Sequence, residues 1–223
     1  MSIAIFFYVY LYAIERTSIA TAAILLYTAP AFVAVLSALI FKERLTSGRA
    51  AAIGLAAAGC VLVVRGYDLA ALRPNLPGVV AGLASGLTYA MYSIFGTTAL
   101  RRYTTRATLT YALGFGAIFL GVVAVPAGVV SPAHSFPTWF VIAYLALGTT
   151  LLGQFLYLSG LRRISPGRAS LIATLEPVVA AGLGYVVLRE GLDLWQVLGG
   201  LLVLSAVVIA GLAQTEAAER RAG

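Results

Sequence analysis

The chain has 223 residues, 61% of them apolar and only 10% charged, with a mean hydropathy of +0.97. A soluble domain carries roughly 25% charged residues, and a globule of this size could not hide so much apolar surface from water, so lipid is the solvent for much of this chain. The formal charge of +7 is scattered between apolar runs rather than gathered on one face, which argues against nucleic acid as its partner, and Cys60 is the only cysteine, which excludes a disulfide scaffold.

A spanning helix needs about 20 mainly apolar residues, and charges bound such runs repeatedly. Thr17 to Phe41, Pro74 to Leu100 and Leu194 to Thr215 contain no charge. The uncharged stretch from Ala107 to Leu161 is too long for one helix and breaks at Ser131–Pro137, where polar residues and prolines read as a loop. Strand alternation is absent, so helices are the remaining way to satisfy backbone groups in hydrocarbon. In chain order they are expected at 1–14, 18–41, 48–65, 77–100, 107–128, 137–161, 166–188 and 194–213, eight segments with a short first one. Ser165 before Pro166 fits an N-cap and first-turn proline, and Ser135 with Pro137 is a looser version. Tyr103, Trp139 and Trp195 fall at segment ends, where amphipathic rings suit the headgroup layer.

The basic residues orient these segments. With both termini cytoplasmic, Lys42, Arg44, Arg49, Arg101, Arg102, Arg106, Arg162, Arg163, Arg168, Arg220 and Arg221 share one side, against Arg16, Arg65, Arg73 and Arg189 on the other. That is a positive-inside bias. The expected localisation is a multi-pass protein of the plasma (inner) membrane.

Sliding the chain against itself by 147 residues, without gaps, superposes Tyr10-Leu11 on Tyr157-Leu158, Arg16 on Arg163, Ser18 on Ser165, Pro30 on Pro177, Glu43 on Glu190 and Leu45 on Leu192. An odd number of crossings separates the two copies, so they enter the membrane from opposite sides. Inverted-topology repeats mark secondary transporters whose halves rock about a midplane site. The expected fold class is therefore an all-α integral membrane protein, a polytopic helix bundle of two inverted-topology repeats with the first incomplete.

Ala29-Pro30 followed by Phe41-Lys42-Glu43-Arg44-Leu45, then Leu161-Arg162-Arg163-Ile164-Ser165, Ala169 to Val178 and Leu188-Arg189-Glu190-Gly191-Leu192, give a pattern that resembles the drug/metabolite transporter superfamily in its EamA-like, ten-helix form. The resemblance covers nearly the whole chain. It implies two halves of five helices, which divides the sequence into 1–73 (family helices three to five), 74–213 (helices six to ten) and a cytoplasmic tail, 214–223. Helices one and two and the start of three have no counterpart here, so the sequence reads as a truncated form or one with a misplaced start. No secretory signal is read at its beginning.

Glu176 is the one acidic residue deep inside a span. A charge there costs at least ~2.5–3.5 kcal/mol on insertion scales, so such residues usually face a cavity or a partner. Beside it, Pro177 is expected to leave the Ala173 carbonyl without its usual donor. Glu176 is thus a candidate for binding substrate or a coupling proton; the competing reading is a hydrogen-bonded carboxyl that pins helices together. The matching position of the first repeat is Ala29, so such a site is asymmetric. Pro30 and Pro177 are candidate hinges or simply packing kinks. Tyr89, Gln154 and Tyr157, with Thr88, Tyr92 and Ser93, place polar groups within spans where they either bond neighbouring helices or line a path. Gly78, Gly82 and Gly86, with Ala90, form a small-residue stripe that reads as packing.

His134 stands alone in a loop, so no histidine metal site is expected, nor any cofactor. Asp68 and Asp193 lie at segment ends, too far apart for a carboxyl pair, and no phosphate-cradling loop ending in Gly-Lys-Ser/Thr exists. The chain reads as no enzyme but as a secondary active transporter of small organic metabolites such as amino acids, related metabolites or drugs, working by alternating access. Its expected partners are that small-molecule substrate and membrane lipid, and the truncation admits a homodimer. The alternative is a non-transporting fragment or membrane scaffold.

Overall fold

A computed structural model describes residues 2–42, 46–68, 75–124, 135–189 and 191–222. His134, Glu43 and Glu190 lie outside the described residues, as do the side chains of Arg220 and Arg221. The backbone is helical throughout its ordered elements: α1 Ser2–Arg16, α2 Ile19–Leu26, α3 Ala29–Phe41, α4 Ser47–Val63, α5 Leu76–Leu100, α6 Thr105–Ala124, α7 Phe136–Tyr144, α8 Leu152–Leu161, α9 Pro166–Ala173, α10 Glu176–Leu183 and α11 Leu194–Ala222. A π-helical stretch, Leu145–Leu151, joins α7 to α8, and a second, Gly184–Leu188, continues α10. Among the described residues five stretches are long and apolar enough to cross a bilayer: Thr21–Phe41, Leu76–Leu100, Thr105–Val122, Phe136–Leu161 and Pro166–Val187. Ser47–Val63 and Leu194–Ile209 are apolar but shorter.

Local chemistry starts these helices. The Ser18 hydroxyl accepts from the Thr21 amide at 3.1 Å, Thr46 from Arg49 at 3.3 Å and Asn75 from Gly78 at 3.2 Å, each covering an amide with no partner inside its helix. Asp193 and Gln196 form a reciprocal cap on α11. The Gln196 amide donates to Asp193 Oδ1 at 2.9 Å, and the Asp193 amide donates to Gln196 Oε1 at 3.2 Å. The tail expected at 214–223 continues α11 as helix to Ala222, because its Ala, Glu, Arg and Gln are strong helix formers.

Two expected spans differ from single kinked helices. The segment 18–41 is interrupted at Tyr27-Thr28 and 166–188 at Thr174-Leu175. Pro30 and Pro177 each sit in the first turn of a new helix, where a missing N–H costs nothing. In an unbroken helix each ring would clash with the carbonyl four residues earlier. Threonine hydroxyls take up carbonyls loosened at the breaks: Thr28 donates to Leu25 O and Thr174 to Leu171 O, both at 2.6 Å.

Element boundaries coincide at the 147-residue offset. The starts of α2 and α9 match, as do their ends; so do the starts of α3 and α10 and of α4 and α11. Lys42 and Arg189, also equivalent, both take left-handed backbone, with φ of 56° and 57°.

The bundle core lies between α1, α5, α6, α8 and α9, where Ile3, Phe6, Tyr92, Leu109, Leu158 and Leu161 pack together. The α5 stripe does pack closely: a Cβ on Gly82 would come within 2.5 Å of Leu25 and one on Gly78 within 2.5 Å of Thr17. Backbone meets backbone between α4 and α11. A Cβ on Gly59 would meet the Gly199 carbonyl oxygen at 2.7 Å, and one on Gly199 would meet that of Gly59 at 2.7 Å. Their counterparts at the 147-residue offset, Ala206 and Ala52, are both fully buried in one cluster with Ala56 and Leu171. In lipid no water is expelled from such a contact, so dispersion at close range is what holds it.

At one end of this pair a polar clasp closes the contact. Arg65 Nε lies 3.4 Å from Asp193 Oδ2, Arg65 also donates to Gln196 Oε1 at 3.2 Å, and Gln196 Nε2 donates to Val63 O at 3.2 Å. The Tyr67 hydroxyl donates to Asp193 as well. That hydroxyl, the Gln196 amide and the Arg65 guanidinium hold the Asp193 carboxyl below the usual carboxylate range.

Gly59→Ala or Gly199→Ala presses a methyl against backbone that cannot step aside and should cost about 1–3 kcal/mol, read as a lower melting temperature in detergent. Gly54→Ala on the same α4, where a Cβ meets nothing within 4 Å, should not lower it. Because the folded-state pKa of Asp193 is depressed, the stability it contributes is present at neutral pH and lost as pH falls through that value. Tyr67→Phe should move the Asp193 titration upward toward the ordinary carboxylate range, as followed by carbon-13 NMR of labelled aspartate.

Candidate functional site

Two of the expected site tyrosines meet in the interior. Tyr89 on α5 and Tyr157 on α8 have ring centroids 5.7 Å apart, and Tyr157 also stacks on Tyr92 at 6.2 Å with an 18° tilt. The Tyr157 hydroxyl lies 2.6 Å from Ser93 Oγ, and Ser93 Oγ is within 3.1 Å of the Tyr89 carbonyl. With the serine proton on that carbonyl, Tyr157 donates to Ser93. From α1, Phe6 meets Tyr89 edge-on at 5.7 Å and stacks on Tyr10 at 5.7 Å. Three helices distant in sequence thus contribute one aromatic, hydroxyl-bearing cluster.

Glu176 occupies the first position of α10, immediately after the break, rather than the middle of a continuous helix. The side chain is exposed rather than packed away, with Tyr10, Tyr27, Cys60 and Tyr89 within electrostatic reach of it. Cys60 is fully buried, with Sγ 4.0 Å from the Thr174 carbonyl at the same break. Pro177 and Pro30 are buried, each one position beyond the start of its helix.

Gln154 lies on α8 one turn before Tyr157. It is half-buried, and its Oε1 has no hydrogen-bond partner. The structure therefore brings Tyr89 and Tyr157 together and places Glu176 at the α9–α10 break, while Gln154 shares a helix with Tyr157 without bonding to it. Tyr10, Tyr27 and Cys60 were not singled out as site residues. Tyr10 carried a signal, since it is the repeat counterpart of Tyr157; Tyr27 and Cys60 carried none.

A cavity of about 690 Å³ opens at the Arg65–Asp193 end of the bundle, lined by Ile19 and Ala23 of α2, Val63 of α4, Ala181 of α10, Arg65 and Gln196. Ala181 and Glu176 are on the same helix, about 7.5 Å apart along its axis, and Glu176 does not itself line the cavity. Among the described residues no three His, Cys, Asp or Glu side chains gather as a metal would require.

Comparison with known proteins places this geometry. The model of the EamA-like transporter family matches residues 1–65 and 76–212. An uncharacterized transporter of Archaeoglobus fulgidus is 30% identical over 201 residues, covering 90% of this chain and 70% of that protein. The uncharacterized inner membrane transporter YicL of Salmonella typhimurium is 27% identical, over 91% of this chain and 67% of its own length, and Protein PecM of Dickeya dadantii is 27% identical over 94% and 70%. The chain thus spans about two thirds of the length of these relatives. One solved crystal structure shares the fold with a TM-score of 0.80 at 18% identity, over 95% of this chain and 74% of that one. The chain is an integral, multi-pass membrane protein and belongs to the EamA-like transporter family.

Proposed function

We propose that this chain is a secondary active transporter of small organic metabolites, built from two inverted-topology repeats, residues 1–73 and 74–213, that alternate access to a site around Glu176. The observation that carries this reading is the pair of interrupted helices. α2–α3 and α9–α10 break at equivalent positions, and a carboxylate stands at the second break with Tyr10, Tyr27, Cys60 and Tyr89 around it. Discontinuous helices with half-helix termini at the midplane are how secondary transporters build sites in lipid, since irregular backbone is tolerated only where it lines a cavity.

In this reading Glu176 binds the substrate or a coupling proton, Tyr89 and Tyr157 line the site, Gln154 offers its free acceptor beside them, and the residues about Pro30 and Pro177 flex between states. The 690 Å³ cavity is the path from the face bearing Arg65 and Asp193. That face is external, because Arg101, Arg102, Arg162 and Arg163 lie at the opposite helix ends, which are cytoplasmic along with both termini. The plasma membrane is the matching location. The alternative is a scaffold without flux, which the same experiment separates.

The test is uptake into vesicles reconstituted with the full chain, with a panel of radiolabelled amino acids and an imposed pH gradient. Transport predicts gradient-driven accumulation, and its absence across the panel favours the scaffold. Glu176→Gln should abolish the response to the pH gradient, by at least tenfold in initial rate, with little change in melting temperature. Undiminished pH-driven flux in that variant overturns the role of Glu176. Tyr157→Phe, which removes the bond to Ser93, should instead cost about 1 kcal/mol of stability and shift the melting temperature.

A further inference from the structure

Five arginines converge at the bundle end away from the Arg65–Asp193 clasp. Arg101, Arg102 and Arg106 stand at the turn between α5 and α6, and Arg162 and Arg163 follow the end of α8, all of them exposed. The two turns are far apart in sequence but side by side in the fold. Leu100, Leu109 and Leu161 pack in one cluster, and a Cβ on Gly96 would meet Leu158 at 3.1 Å and Leu161 at 3.4 Å. The Arg101 guanidinium lies over the Phe41 ring, 4.9 Å from its centroid. Among the described residues no carboxylate forms an ion pair with any of the five.

Orientation in a membrane requires only that basic residues be more numerous in the loops of one side. It does not require that the arginines of two separate turns stand over one patch. Guanidiniums gathered without carboxylates repel one another, and a bound anion removes that repulsion. Their planar forks match the oxygens of a phosphate. Beside the patch, an open groove of about 650 Å³ runs between the first turns of α1, the second half of α5 and the first half of α6. It begins at Tyr103, next to Arg102, and passes Ala99, Thr108 and Ala112 to Phe115, with no charged side chain among the described residues of its wall. Phe95, Tyr103, Tyr111 and Phe115 are each more than half exposed, so the groove opens sideways onto lipid. The groove alone names no occupant, but the charge at its mouth does. Phosphate at one end and hydrocarbon along the rest is the chemistry of a phospholipid, and five cations select a negatively charged headgroup. We infer that this face binds an anionic phospholipid, its phosphate on the arginines and an acyl chain along the groove. The site is separate from Glu176 and stands whether or not the chain transports.

The test titrates the full chain in detergent with phosphatidylglycerol, with phosphatidylcholine of the same acyl chains, and with inorganic phosphate. Binding is read from the melting temperature and from native mass spectrometry. Phosphatidylglycerol should bind saturably and at least tenfold more tightly than either of the others, and added salt should weaken it. Arg102→Gln with Arg163→Gln, both on the surface, should raise its half-saturating concentration about tenfold. Arg16→Gln, at the other end of the bundle, should leave it unchanged. Ala112→Trp, which obstructs the groove, should weaken phosphatidylglycerol without creating a preference for phosphatidylcholine. Equal binding of the two lipids overturns the inference, as does an affinity for phosphatidylglycerol indifferent to salt or to the paired arginine variant. Inorganic phosphate bound as tightly as phosphatidylglycerol assigns the patch to a soluble anion and overturns it too.

Discussion

In hydrocarbon a peptide group without a hydrogen-bond partner has no water to turn to and costs several kcal/mol. Proline therefore acts on this chain far more strongly than it would on a soluble one. Pro30 and Pro177 cannot donate, and their rings exclude the carbonyl of the preceding turn. The backbone answers by stopping and restarting, so that each proline falls in a first turn where no donor is required. Thr28 and Thr174 supply hydroxyls to carbonyls left at the breaks. The interruption is thus stable, and it leaves a helix start inside the bundle where a carboxylate can be held. Glu176 occupies that start.

The same lack of a hydrophobic drive between helices explains the second organising contact. With lipid as good a neighbour as leucine, α4 and α11 hold together by coming close enough for backbone to touch backbone. Gly59 and Gly199 permit that, and Ala52 and Ala206 repeat it at the equivalent distance along the pair. The exchange of partners at an offset of 147 residues is what a two-fold relation between the halves would produce. The clasp of Arg65, Asp193 and Gln196 lies where the chain leaves the apolar layer, where charge can be solvated and still order a helix end.

The stretch Phe136–Leu161 makes a contrast with Leu76–Leu100. Half of the latter's most apolar window is buried, against 6% of the former's. Phe136, Tyr144, Leu147 and Leu156 point outward, yet the inner edge of the same stretch carries Leu158, Leu161 and Tyr157 into the core. One helix surface thus serves lipid while the other serves the aromatic cluster, and Gln154 stands at the margin between them with its acceptor free.

Much of this architecture was legible in the residues alone. Apolar length and the spacing of charges are properties of the chain, and the bilayer thickness converts them directly into segments; among the described residues each of the eight expected segments is helical, two of them as interrupted pairs. The offset of 147 was equally visible, because prolines and charges at helix ends are rare enough in apolar sequence to stand out. The two proline positions were read correctly as sites of disturbance but not as full breaks, since whether a helix bends or restarts depends on the packing that surrounds it. The candidate site was harder to see. Glu176, Tyr89 and Tyr157 announced themselves as polar groups in apolar runs, whereas Cys60 of α4 reaches the Thr174 carbonyl at the α9–α10 break only because those helices pack, and side chains so distant in sequence become neighbours in no other way.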